Sequence, residues 1–232
     1  MGAAGTSGGR RRGSTLTREQ IIEAAVEIST AQGPAEVSFR SLGARLGVVA
    51  TALYRHFRDK DELMLALADQ IFVEMTDRFT PSGDWAADLH QIAQLGREVG
   101  RRHAVTLAWL GYRNTGGPGD QGIALAILRL LLDAGLTQEQ ALFHYELFTD
   151  TMMGLNTVDA MRESLDEDTR RKDDAALAAL YANVARAEPR ASRMPALAID
   201  SDPELLFATQ VDLHIQAIRA TATGASAGTR RP

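Results

Sequence analysis

The stretch "LGVVATALYRHFRDKDEL", residues 46–63, decides the fold. Leu46 completes the apolar face of a short helix, and Gly47 ends that helix because glycine takes the left-handed conformation at little cost. Val48 plugs the turn. A second short helix is expected at about 50–57, with Leu53 and Phe57 one turn apart and inward. The pair Asp59-Lys60 breaks it, and a further helix runs from about 60 to 78. Two helices of about eight residues joined by a glycine turn make a helix-turn-helix, whose second helix can enter the DNA major groove while the first crosses the backbone. Ala50, Thr51, Ala52, Tyr54, Arg55 and Lys60 face away from the inward set. The small residues permit close approach to base edges, and the phenol, guanidinium and ammonium suit phosphate oxygens. Spacing alone leaves open an ordinary helical hairpin with Tyr54 and Arg55 as plain surface residues.

Upstream, Thr17 and Gln20 form a capping box, and Ile21, Ala24, Ala25 and Ile28 recur at helical spacing. Gly33-Pro34 stops that helix, and Ser38 caps the next, with Phe39, Leu42 and Leu46 on one face. Downstream, Asp84 caps a helix at about 84–102, and "GYRNTGGPGD" (111–120) reads as a loop. "GIALAILRLLLDAG" (122–135) is an apolar helix ended by Gly135. Thr137 with Gln140 opens a long helix at about 138–163, followed by a charged stretch, a helix at about 174–187 and a proline-punctuated linker. Asp202 and Pro203 open a last helix at about 203–220. No stretch sustains strand alternation, so the expected fold is all-α.

The expected organisation is a flexible basic arm over 1–14, a three-helix helix-turn-helix domain over 15–62, a larger helical domain over 63–222 and a disordered tail over 223–232. The 232 residues contain no cysteine, which excludes disulfides and thiolate chemistry and fits a reducing cytoplasm. No apolar run approaches the ~20 residues of a membrane helix, and the N-terminus lacks the apolar stretch of a secretory signal. The net charge of −5 hides an asymmetry. Residues 1–60 hold nine Lys/Arg and five Asp/Glu, a net of +4, and the rest carries −9. A basic module on an acidic body suits a polyanion at one end.

The five histidines (His56, His90, His103, His144, His214) show no zinc-protease spacing, and no phosphate-binding glycine loop or Gly-x-Ser-x-Gly elbow occurs. Neither an enzyme nor a cofactor is expected. A helical adaptor that binds only protein is the competing reading, and the basic arm, Tyr54 and Lys60 speak against it.

Residues 17–65 resemble the DNA-binding domain of the tetracycline-repressor (TetR) family of bacterial transcription regulators. The likeness runs through Ile21, Ala24 and Gly33, then "SFRSLGARLGV", and then "ALYRHFRDKDEL" with Leu53-Tyr54, His56-Phe57, Lys60 and Leu63. The resemblance implies that Tyr54 and Lys60 hold phosphates, the latter aided by a helix N-terminus. It also implies that Arg40 reaches a guanine, whose O6 and N7 suit a guanidinium. His56 matches too, either as a DNA contact or as packing in the turn. Ser38 and Arg55 complete the candidate DNA face. Val49 departs from the family, which commonly places a polar cap there; specificity is then expected from methyl contacts, Arg40 and DNA shape. Arg10, Arg11 and Arg12 could lie in a flanking minor groove or stay solvated.

Residues 84–220 more loosely resemble the family's C-terminal domain, which implies dimerisation and effector binding. A homodimer would form through the helices at about 138–163 and 203–220. Phe143, Leu147, Leu155, Val158, Leu206, Val211, Leu213, Ile215 and Ile218 offer apolar surface for it. Candidate effector residues are Leu89, Ile92 and Leu95; His103, Trp109, Tyr112 and Arg113; and His144, Phe148, Thr149, Met152, Met153 and Asn156. Trp109 stands before Leu110-Gly111 where tetracycline repressors place a magnesium-binding histidine. The expected effector is therefore a small, largely apolar or aromatic molecule rather than magnesium–tetracycline. The reading as a whole is a homodimeric repressor that leaves a palindromic double-stranded DNA operator when that effector binds.

Overall fold

A computed structural model describes residues 16–110, 113–199 and 202–228; the arm with Arg10–Arg12 and Tyr112 lie outside the described residues. Among the described residues the chain forms only helices and turns. Local signals set the first part. Thr17 and Gln20 close a full capping box on α1 (Arg18–Gln32), which Gly33 ends. A 3-10 turn at Pro34–Glu36 leads to Ser38, which caps α2 (Phe39–Leu46). Gly47 sits in the left-handed region at φ 68°, ψ 30°. A Cβ on Gly43 would lie 2.9 Å from the Val48 carbonyl oxygen, so a small residue there lets α2 and the turn meet.

The second helix of the pair, α3 (Ala50–Leu53), is shorter than its expected span, and residues 54–56 form turns. Val49, its N-cap, supplies no side-chain hydrogen bond, so nothing at the start reinforces a longer helix. Leu42, Leu53 and Phe57 are fully buried with Ile21, Ala25, Val37 and Leu63 in one cluster. Arg18 braces it from outside: its guanidinium lies 4.0 Å from the Phe57 ring centroid and donates to Glu62 Oε1 at 2.9 Å.

The helix α4 (Lys60–Arg78) belongs to both halves of the chain. Leu63, Met64, Leu67 and Ala68 pack in the N-terminal cluster, while Ile71 and Met75 join the second. That second core is built by α5 (Trp85–Arg102), α6 (Ala104–Leu110), α7 (Pro118–Asp133), α8 (Gln138–Ser164) and the last helix. α9 (Glu167–Ala187) buries no residue and packs on α10 (Met194–Ile199) and the 3-10 turn Pro189–Ala191.

Besides the shorter α3, several segments differ from the sequence expectation. α9 begins at Glu167 within the charged stretch, α10 falls in the stretch read as linker, and α6 was not expected. α11 (Pro203–Gly228) continues into the stretch read as tail, and α7 begins at Pro118, inside the stretch read as loop. The α7 start has a clear cause. Asp69 of α4 is buried and accepts from the Thr115 hydroxyl (2.6 Å) and from the Gly119 and Asp120 amides (3.0 Å each). It thus caps the N-terminus of α7 from a different helix. A Cβ on Gly117 would collide with the Asp69 carboxylate, and one on Gly119 with the Val73 amide. These glycines permit close helix packing rather than a loop.

Asp69→Ala leaves the buried Gly119 amide and the half-buried Asp120 amide without their acceptor and should lower stability by roughly 3 kcal/mol in chemical denaturation, with Asp69→Asn losing less. Glu62 has its carboxyl held below the usual range, first by the Arg58 backbone amide and then by the Arg18 side chain. A lowered folded pKa stabilises above the unfolded pKa and is lost as pH falls through the folded value. Glu62→Gln should therefore melt below wild type near neutrality, and the two melting curves should draw together as pH falls through the acidic carboxylate range.

Candidate DNA-binding surface and interior cavity

The residues read as DNA-facing fall on α2 and its cap, on α3, on the turn that follows it and at the start of α4. The Phe39 and Tyr54 rings lie 4.4 Å apart, which brings the beginning of α2 beside the end of α3. Tyr54 remains 56% exposed, and Arg40, Thr51, Arg55 and Lys60 are exposed too. Ala50 and Ala52 are half-buried. Arg40, Arg55 and Lys60 enter no ion pair among the described residues. Their neighbours behave differently. Asp59 pairs with Arg58, Asp61 with Arg113 and Glu62 with Arg18. The acidic first turn of α4 is thereby neutralised by arginines, while Lys60 stays available to an anion.

Ser38 and His56 have other occupations. The Ser38 hydroxyl accepts from the Ser41 amide at 3.1 Å as the cap of α2. His56 is half-buried, and its backbone carbonyl accepts from the Arg18 guanidinium at 2.5 Å. Val49 is 71% exposed at the uncapped start of α3. Val49→Ser should add the missing cap and raise thermal stability by up to about 1 kcal/mol; an unchanged melting midpoint would count against the reading of this helix start.

Behind α4 lies a cavity of about 510 Å³. Its buried lining is apolar: Ile71 and Met75 from α4, Ile92 and Ala93 from α5, Leu107 from α6, Ile123 and Ile127 from α7, and Phe148 and Met152 from α8. Phe72, Thr149, Met153 and Asn156 complete the wall. The Asn156 side-chain oxygen is buried without a hydrogen-bond partner among the described residues. Toward solvent stand Asn114, Asp120, Tyr145, Glu146 and Asp150. The Tyr145 phenol is pushed up by burial and then by the charges of Asp120 and Asp150.

The cavity therefore gathers Ile92, Phe148, Thr149, Met152, Met153 and Asn156 from the expected effector set. Leu89 and Leu95 pack in the core instead. The His103 ring pairs with Glu74 at 2.9 Å. Trp109 is 53% exposed, and Arg113 pairs with Asp61. His144 shares the buried face of α8 but turns to the Thr221 hydroxyl of α11, 3.0 Å away, where burial lowers its pKa. The α4 and α7 wall residues were not anticipated. An inward apolar side chain carries the same sequence signal whether it meets a neighbour or a void.

The apolar residues read as dimer surface also divide. Phe143, Leu147, Val158, Leu206 and Leu213 are exposed, and Leu155 is half-buried. Val211, Ile215 and Ile218 are buried in the chain's own core, so they are not available to a partner.

Residues 21–67 match the family model described as bacterial regulatory proteins, tetR family. The chain is 31% identical over 128 residues to the HTH-type transcriptional repressor DrrR1 of Streptomyces coeruleorubidus, covering 54% of this chain and 47% of that protein. It is 28% identical over 159 residues to the HTH-type transcriptional repressor Rv1353c of Mycobacterium tuberculosis, covering 66% of this chain and 60% of that one. The match thus spans only about half of these relatives' length. Apo ActR from Streptomyces coelicolor has a similar fold, with a TM-score of 0.76 at 21% identity over 92% of this chain and all of that one.

Proposed function

We propose, from the premise that this chain belongs to the TetR family of bacterial regulatory proteins, that it is a ligand-responsive transcriptional repressor rather than an enzyme. It grips a palindromic operator as a homodimer and leaves it when a small molecule enters the cavity behind α4. The observation that carries this reading is the double membership of α4. Its first residue, Lys60, is an exposed cation without an ion pair among the described residues, and its second half supplies Ile71, Phe72 and Met75 to the cavity wall. Those two stations are ~16 Å apart along one rigid helix. A ligand that moves the wall moves the DNA-facing surface, and it needs to favour one state by only a few kcal/mol.

Tyr54 and Lys60 hold phosphates, while Arg40 and the small, methyl-rich start of α3 meet base edges. One such unit reads few base pairs, so two copies a helical turn apart are needed for affinity. The exposed Phe143, Leu147 and Val158 of α8 and Leu206 and Leu213 of α11 offer the surface for that pairing. Among similar folds, ActR has been solved with actinorhodin and BioQ with its double-stranded DNA operator, which is consistent with both partners. No helix among the described residues is long and apolar enough to cross a membrane. We place the protein in the cytoplasm, with its operator.

Selection of bound DNA from a random pool tests the proposal directly. A palindromic site should be enriched, and recovery of unrelated sequences would overturn the reading. On that site Lys60→Ala should weaken binding at every sequence and flatten the salt dependence by about one unit of slope per half-site, whereas Arg40→Ala should relax selectivity at one base. Met152→Trp, which fills the cavity, should keep operator binding while abolishing release by effector-containing extracts.

A further inference from the structure

We propose that the cavity selects a lipophilic cation, with an aromatic or aliphatic body in the apolar depth and its positive charge at the mouth beside Asp120, Glu146 and Asp150. This names the ligand class for the effector site proposed above and rests on that reading for its regulatory meaning.

The charge pattern carries the inference. No Lys, Arg or His lines the cavity among the described residues, yet three carboxylates do. None of the three enters an ion pair among the described residues, although arginines elsewhere on the chain pair with acids repeatedly. Of the three, Asp120 alone also supports the backbone, since its Oδ2 accepts from the Gly116 amide at 2.9 Å and the Thr115 amide at 3.1 Å. Glu146 and Asp150 lie one turn apart on the exposed flank of α8 and hold up no other element.

A cleft of single sign with low-dielectric walls concentrates counter-charge and repels its own sign. An anion would meet these carboxylates with no cation to receive it. A neutral apolar molecule would fill the depth but leave the mouth unanswered. A cation satisfies both, and Phe72, Tyr145 and Phe148 provide aromatic rings that attract positive charge. The Tyr145 phenol, raised first by burial, is raised further by the charges of Asp120 and Asp150, so their field reaches the cavity wall. The partnerless Asn156 oxygen offers an acceptor deeper in, suited to an N–H or O–H on the body of the ligand.

Three probes of similar bulk separate the possibilities: tetraphenylphosphonium, tetraphenylborate and neutral triphenylphosphine oxide, each titrated calorimetrically into the full chain at low salt. The phosphonium should bind at least roughly tenfold tighter than the borate, and added salt should narrow the gap. Glu146→Gln/Asp150→Asn, which leaves the Asp120 cap intact, should weaken the phosphonium about fivefold or more and leave the phosphine oxide unchanged. Met152→Trp should weaken all three, which assigns the binding to the cavity. Borate binding as tight as phosphonium, indifference to the double variant, phosphonium binding that survives Met152→Trp, or no binding of any probe would each overturn the inference. A gel shift distinguishes the two readings. Operator release by the phosphine oxide but not the phosphonium sinks the charge selection and leaves the repressor standing. Phosphonium bound in the cavity without operator release does the reverse.

Discussion

The carboxylate of Asp69 is the joint on which the two halves of the chain depend. It sits inside the chain, on a helix shared by both cores, and gathers a hydroxyl and two amides from the start of α7. A buried carboxylate without such donors would be strongly unfavourable, so the contact is specific in position as well as in charge. The glycines at 117 and 119 let the backbone of α7 come within its reach. With α7 fixed to α4, the far wall of the cavity is fixed too, because Ile123 and Ile127 lie on the same helix one and two turns further along.

Other ties reinforce the same geometry from different sides. The hydroxyls of Ser29 and Thr106 meet at 2.8 Å between α1 and α6, and Arg113 reaches Asp61 at the head of α4. The helix-turn-helix unit is therefore not tethered by α4 alone. Displacement of the cavity wall under the proposed function would have to carry α1 and the loop before α7 with it, which favours two discrete arrangements over gradual bending.

Much of the fold was legible because its determinants are local. The capping boxes at Thr17 and Thr137, the Ser38 cap and the left-handed Gly47 stand where the sequence places them. The determinants that were not legible act across the chain. The span "TGGPGD" reads as loop by composition, and the cap that secures it as a helix start comes from Asp69, some fifty residues earlier. The short α6 lacks a side-chain cap signal, and α11 extends past residue 220 where Thr221 bonds His144. The candidate site divides in the same way. The exposed cationic and aromatic residues of the candidate DNA-facing surface stand out by type and spacing, with their proposed roles implied by the family resemblance, whereas half of the cavity wall was not legible, since packing against a void leaves no mark on a sequence.

The start of α3 has one more consequence. The core that holds the helix-turn-helix together is made by Leu42, Leu53 and Phe57, while Arg40, Thr51 and Arg55 lie outside it and bear no load in it. Substitution at those three positions alters what is presented outward with little effect on folding. Under the proposed function, foldability and recognition are written in separate letters of the same short segment. On that reading a lineage carrying this scaffold is free to drift from one target sequence to another by single steps, each passing through a fully folded protein.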